Sequence, residues 1–206
     1  MSKREGPTRP EDDTQKRRER RPRKADERIR RTRGRLGDAL VALMQEKPIN
    51  RITVQEVLDR AAVGRSTFYL HYRDKDDLFL CVLEEGLEMW STALDRKREK
   101  SLRVVPVAEY FAHVASARKL YRALADAGRL NDYFDLAQGY FARGIQLRLK
   151  QSQRSAKLPQ SECGARACAS AGSLLALLRW WIERGAKETP HAIDELFHRM
   201  VWKGLA

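Results

Sequence analysis

Between residues 65 and 75 the chain reads RSTFYLHYRDK, a concentration of hydrogen-bonding side chains with no catalytic pattern among them. Arg65 carries a guanidinium whose paired donors match O6 and N7 of guanine, and Ser66 and Thr67 offer short hydroxyls that bond base edges or phosphates. Tyr69 can reach a thymine methyl or a phosphate, while His71 and Tyr72 are better suited to phosphate. Lys75 stands where a new helix should open, so its ammonium would join unpaired N–H groups that also favour an anion. Chemistry of this kind holds and reads a ligand; it does not break bonds.

The rest of the chain adds no reaction centre. His71, His113, His191 and His198 fall in no HExxH or other ligand spacing, and there is no GxSxG, P-loop or GxGxxG. His191 and His198, seven residues apart on one helix face, are expected to face solvent or cap. Cys81, Cys163 and Cys168 are odd in number and lack CxxC spacing, which argues against a disulfide scaffold or a zinc site. No catalytic residue, metal or cofactor is expected.

Two short helices must position the polar run. Thr53 is a good N-cap with Glu56 at the capping-box position. Val54, Val57, Leu58 and Ala61 then recur at helical spacing. Ala62-Val63-Gly64 breaks the pattern, with Gly64 expected to take the positive φ of the turn. A second helix from Arg65 to Tyr72 follows, its Phe68 turned inward. Two such helices joined by a short Gly-containing turn form a helix-turn-helix. Ahead of them, Leu36, Ala39, Leu40, Leu43 and Met44 predict a first helix from about Ile29 or Thr32 to Glu46, ended by Pro48. Ile49 and Ile52 should pack beneath the pair. Residues 29–75 thus read as a three-helix head.

Charge is consistent with an anionic partner. The 206 residues carry a net +13, and residues 1–35 hold 15 Lys/Arg against 7 Asp/Glu. Residues 1–28 contain Pro7, Pro10 and Pro22 and almost nothing apolar, so they read as a disordered basic arm that lies along phosphates or remains a tail. They show no apolar signal region. The most apolar stretch, Leu174 to Ile182, is interrupted by Arg179 and falls short of the roughly 20 residues a membrane span needs. The expectation is a cytoplasmic protein.

Residues 76–206 read as a helical body. Helix four is expected from about Asp76 to Arg98, burying Leu78, Phe79, Val82, Leu83, Leu87 and Trp90. Pro106 opens the next helix, Lys119 to Ala127 forms a short one ending at Gly128, and Asn131 to about Gln151 a long one. Their aromatics, Trp90, Tyr110, Phe111, Tyr133, Phe134, Tyr140 and Phe141, together with Trp180, are candidates either for plain core or for a ligand pocket. Buried tyrosine hydroxyls need partners, which a ligand could supply. Glu162 to Arg184 is apolar over most of its circumference, and Pro190 starts a final apolar-striped helix. Burying both helices suggests a second subunit packed against Leu174, Leu178, Trp181, Ile193, Phe197, Met200 and Val201.

The run ITVQEVLDRAAVGRSTFYLHYRDKDDLF resembles the DNA-binding head of the TetR family of bacterial transcriptional regulators. The turn, the TFY run, the histidine-aromatic pair and the lysine opening helix four all match, and ALVALMQEK followed by PINRITV resembles the family's first helix and its lead into the second. The likeness covers about residues 30–85. It implies an all-α fold, a homodimer formed through the last two helices, and binding to palindromic operator DNA, most often as a repressor, with affinity modulated by a small apolar effector. It also implies phosphate or base contacts for Thr53, Arg65, Ser66, Thr67, Tyr69, His71, Tyr72 and Lys75. The other reading left open is a helical small-molecule-binding or structural protein with non-specific nucleic-acid affinity.

Overall fold

In the computed structural model the backbone is described for residues 11–155 and 158–203, with side chains from Asp26 onward. Among these residues there are ten α-helices, two 3-10 turns and no strand, as the patterning predicts. The first stripe builds the head. Helix α1 (Glu11–Met44) buries Leu36, Ala39, Leu40, Leu43 and Met44 on one side. Ile49 and Ile52, each 2% exposed, sit under α2 (Val54–Ala61), which buries Val57, Leu58 and Ala61. Phe68 of α3 (Arg65–Tyr69) is fully buried in the same cluster.

Helix α1 begins at Glu11, well before the expected start near Ile29. Residues 11–28 of the proposed disordered arm are therefore helical, while residues 1–10 lie outside the described residues. Between Lys24 and Arg35, Arg, Lys, Glu and Ala have high intrinsic helix propensity, so a nucleus at the Leu36–Met44 stripe can extend backwards over this stretch without apolar packing.

The turn is built differently from expectation. Gly64 has φ −71° and serves as the N-cap of α3, whereas Ala62 takes the left-handed conformation at φ 50°. The Val63 N–H donates to Leu58 O and the Ala62 N–H to Asp59 O, which is the Schellman closure of a helix. The Arg35 guanidinium donates to the carbonyls of Ala61 and Ala62, completing that cap from α1. A left-handed alanine costs on the order of 1 kcal/mol relative to glycine. Ala62→Gly is accordingly expected to raise stability by about that amount, read as a higher melting temperature.

Helix α4 (Lys75–Ser91) connects head to body and ends earlier than expected. The Thr92 hydroxyl donates to Glu88 O at 2.7 Å and the Ser91 hydroxyl to the same carbonyl at 3.2 Å, and a separate turn α5 (Ala93–Arg96) follows. Side-chain bonds of this kind compete with the next backbone bond. Beyond it lie α6 (Val107–Ser116), α7 (Arg118–Asp126), α8 (Leu130–Gln151), α9 (Gln160–Glu183) and α10 (Pro190–Trp202). Helix α8 packs against both α4 and α9, and α10 against α6. Gly128, at φ 69°, provides the left-handed turn between α7 and α8.

A buried ion cluster ties α10 to the segment before α6. Asp194, 6% exposed, accepts from Arg103 at 2.8 Å and from the Ala108 N–H at 3.0 Å. His198 Nε2 accepts from the Val104 N–H at 3.1 Å while its Nδ1 faces Asp194. His198 is thus an internal strut, unlike the exposed His191, which pairs with Glu195. Sequence periodicity could not separate the two, because a face is assigned to solvent or core only by what packs on it. Burial alone would raise the Asp194 carboxyl pKa, but bonds from His198 and Arg103 outweigh it and hold it at about 2. Since the folded pKa lies below the unfolded value, the carboxylate stabilises the fold above about pH 4, and that contribution is lost as pH falls toward 2. It is worth on the order of 2 kcal/mol. Asp194→Asn should therefore flatten the acid limb of stability against pH, measured by urea unfolding.

Candidate functional site

The outward face of α3 is where the exposed polar groups of the head gather. Arg65 and Ser66 are exposed, Thr67 is half-buried, and Tyr69 is 52% exposed with its ring edge-on to Phe68 at 5.2 Å. Phe68, the buried residue between them, holds the helix to the head so that its neighbours must face out. Arg65 Nη2 rests on Gln55 Oε1 at 3.1 Å, which leaves its other donors available. Beyond Tyr69 the N–H groups of Leu70, His71 and Tyr72 still point back to Ser66 and Phe68 carbonyls. The helix therefore closes after five residues, with His71 half-buried on its last turn.

Thr53 is exposed at the start of α2, with its hydroxyl engaged in the capping box. It accepts from the Glu56 N–H at 3.2 Å, and the Thr53 N–H donates to Glu56 Oε2 at 2.9 Å. Bonds from Lys47 and then Thr53 pull the Glu56 carboxyl pKa down to about 2, so it stays an acceptor at any physiological pH.

Tyr72 and Lys75 are placed elsewhere than the sequence suggested. Tyr72 is 4% exposed, and its hydroxyl accepts from Arg33 Nε at 3.2 Å. Lys75 Nζ donates to Ile49 O at 2.7 Å and Ile52 O at 2.9 Å, clamping the segment that leads into α2. Two of its three donors are committed to these carbonyls. Both residues brace the head through these bonds, beside the outward face of α3. Spacing had put them near it, but a helix turn of two residues decides between inside and outside.

Other groups on this face were not anticipated. Leu70 is 81% exposed at the end of α3, where an apolar side chain suits a thymine methyl. Arg28, Arg31 and Arg35 fall at i, i+3 and i+7 on α1, and with Thr67 they line a cleft of about 310 Å³ against the turn. That spacing was the available signal, hidden because Arg28 was read as the end of the arm and Arg31 and Arg35 as the start of the first helix.

The body departs further from expectation. Tyr110, Phe111, Tyr133 and Phe141 are buried, Trp90, Phe134 and Tyr140 half-buried, and Trp180 exposed. A mainly apolar cleft of about 570 Å³ lies between α6, α7, the start of α8 and the end of α9. Of the eight aromatic candidates only Phe134 lines it. Tyr110 and Tyr133 share a hydroxyl bond, and Tyr121 joins Tyr133 at 3.0 Å, so these phenols satisfy one another and need no ligand. Burial pushes all three phenol pKa values well up, which keeps them neutral.

Five of the seven expected interface residues are core of the single chain. Leu174, Leu178 and Phe197 are fully buried, and Trp181 and Ile193 are each 2% exposed. Only Met200 is exposed and Val201 half-buried. A different strip of α9 is open: Ala165, Ala169 and Ala176 are exposed, Gly172 half-buried, and Trp180 40% exposed.

Among the described residues no helix is long and apolar enough to cross a membrane, and no cluster of His, Cys, Asp and Glu is arranged to hold a metal.

Residues 36–82 match the family described as bacterial regulatory proteins, tetR family. An uncharacterized HTH-type transcriptional regulator of Bacillus subtilis, YxbF, is 37% identical over 57 residues, which is 28% of this chain and 15% of that protein's length. A TetR transcriptional regulator from Streptococcus agalactiae has a similar structure, with TM-score 0.56 and 22% identity over 86% of this chain and 97% of its own. So does the fatty acid degradation regulator FadR from Bacillus halodurans, with TM-score 0.57 and 15% identity, covering 84% of this chain and 99% of its own. The head is a tetR-family helix-turn-helix domain, and the chain as a whole has the all-α fold of tetR-type regulators.

Proposed function

We propose that this chain, with its tetR-family head and tetR-type fold, is a cytoplasmic homodimeric repressor of transcription. Each head places α3 in a major groove of a palindromic operator, with half-sites one helical turn or a multiple apart. The observation that carries this reading is the outward face of α3, where Arg65, Ser66, Tyr69 and Leu70 project from a helix locked down by Phe68. Arg65 and Tyr69 read bases, Ser66 and Thr67 bond base edges or phosphates, and Thr53 and His71 approach the backbone from either side. The third donor of Lys75 remains free for a phosphate.

The dimer forms through the outward strip of α9 together with Met200 and Val201 on α10. The small side chains at 165, 169, 172 and 176 allow a partner helix to come close, and Trp180 and Met200 gain from being covered. An effector bound in the body acts by preferring one spacing of the heads over another, the only way a ligand shifts such an equilibrium. A route exists for that preference. Arg129, at the α7–α8 junction, donates to Asp76 at 3.1 Å and lies 4.8 Å over the Phe79 ring, both on α4. Lys75, beside Asp76, holds the carbonyls that precede α2.

Selecting bound fragments from genomic DNA tests the function directly. Enrichment of a palindrome with two half-sites is expected; binding that does not distinguish selected from random duplex would favour the non-specific alternative. The basic start of α1 has its own test. Removing residues 1–28 should weaken binding and lower its salt slope, since every phosphate the protein neutralises adds about 0.9 to the fall of log K with log[salt]. An unchanged slope would mean that this segment does not touch DNA.

A further inference from the structure

The 570 Å³ cleft of the body has an apolar floor and a cationic rim. Its volume lies within the range of sites that enclose a small molecule. Val114, Leu178 and Trp181, all nearly inaccessible, form the floor, with Phe134 beside them. The ring of Tyr121 is a further wall, its hydroxyl spent on Tyr133. The interior therefore offers area rather than polar partners.

The rim is the reverse. Arg118, Lys119 and Arg122 on α7 face Arg179 on α9, against one carboxylate, Glu183. Among the described residues none of these four cations has an ion-pair partner, in contrast to Arg103, Arg129 and Arg148. The Arg179 Cζ lies over the Phe134 ring, 4.7 Å from its centroid, which holds the guanidinium at the mouth. Like charges gathered at the edge of an apolar surface repel one another, and an anion set among them reverses the sign of that interaction.

We infer that this cleft binds an anionic amphiphile, its apolar tail on Leu178 and Trp181 and its carboxylate or phosphate head between Arg118, Arg122 and Arg179. The inference rests on the regulator reading above and gives that regulator a chemical class of effector. Paired guanidinium donors suit an oxyanion, whereas a neutral head forfeits those charge-assisted bonds and a cationic head meets four like charges.

The test uses the full chain titrated by calorimetry with probes that share a decyl tail, below their micelle-forming concentrations: decanoate, decyl phosphate, decanol and decyltrimethylammonium. Decanoate and decyl phosphate should bind roughly tenfold or more tightly than decanol, with no binding of the ammonium; whichever anion binds better identifies the head group. In the double variant Arg122→Gln/Arg179→Gln the preference for decanoate should vanish while decanol still binds, which shows that the cleft remains folded. Equal affinity for decanoate and decanol, preference for the cation, or no saturable binding of any probe would overturn the inference. Gel shifts on the selected operator separate this from the regulator reading. Operator binding by a chain that ignores decanoate removes the site and leaves the regulator standing. Decanoate binding to a chain with no sequence preference does the opposite.

Discussion

Arg65→Ala/Tyr69→Ala should lose roughly 100-fold or more in affinity for its selected operator while remaining folded and dimeric. Both side chains are exposed on α3. Arg65 donates a hydrogen bond to Gln55, and the Tyr69 ring, 52% exposed, meets Phe68 edge-on. Removing them therefore subtracts little from folding. A good bidentate base contact is worth about 1–3 kcal/mol, and a tyrosine at a groove adds apolar area and a hydroxyl. Non-specific binding should fall much less, because Arg28, Arg31 and Arg35 on α1 are untouched. Gel-shift titration against operator and random duplex reads both quantities; retained operator affinity would remove α3 as the reading element. Lys75→Met provides the contrast. It frees the carbonyls of Ile49 and Ile52, so it should lower the melting temperature as well as DNA affinity, and that pairing of effects distinguishes a clamp from a reader.

Gly144→Ala is expected to destabilise the body by about 1–3 kcal/mol, even though alanine is the better helix former. Gly144 is buried on α8, and a Cβ there would overlap the carbonyl oxygen of Ser91 and stand 3.2 Å from the Ser91 Cβ. The obstacle is backbone, which cannot rotate away as a side chain can. Helices α4 and α8 must then separate, and α4 is the element that carries the head. Urea unfolding of the variant should show a lower midpoint with an unchanged slope. Gly139, on the same helix, has nothing closer than the tip of Arg143 at 3.9 Å, so Gly139→Ala should be neutral or stabilising. Equal effects of the two substitutions would show that the close approach does not set the packing.

Much of this fold was legible because helices announce themselves locally. The Leu36–Met44 stripe, the Thr53–Glu56 capping box, Pro106 before α6, Gly128 after α7 and Pro190 at the start of α10 all mark elements where the structure has them. A cap or a period of 3.6 needs only neighbours in the chain. Some misplaced features have a different property. Ala62 takes the left-handed turn in place of Gly64 because the closing bonds of α2 fall there, supported by Arg35 from a distant helix. The depth of His198 likewise depends on the Val104 N–H that reaches it through the fold, whereas the early end of α4 is local, set by the Ser91 and Thr92 hydroxyls on Glu88 O.

The same division runs through the functional residues. By itself the sequence determined that a helix-turn-helix stands at 53–75, that Phe68 points in, and that Arg65, Ser66 and Tyr69 point out. It also determined a chain with a net positive charge that is concentrated in its first 35 residues. These follow from periodicity, capping and composition, none of which requires knowing what lies across the core. Only the tertiary structure decided that Tyr72 and Lys75 serve the interior, that three phenols satisfy one another, and that Leu174, Leu178, Trp181, Ile193 and Phe197 fill the single chain's core. An apolar or polar side chain on a helix specifies that it needs a partner, never which one. That choice is made by the helices that arrive beside it, and in this chain they left a cationic rim around an apolar cleft that no spacing in the sequence would have disclosed.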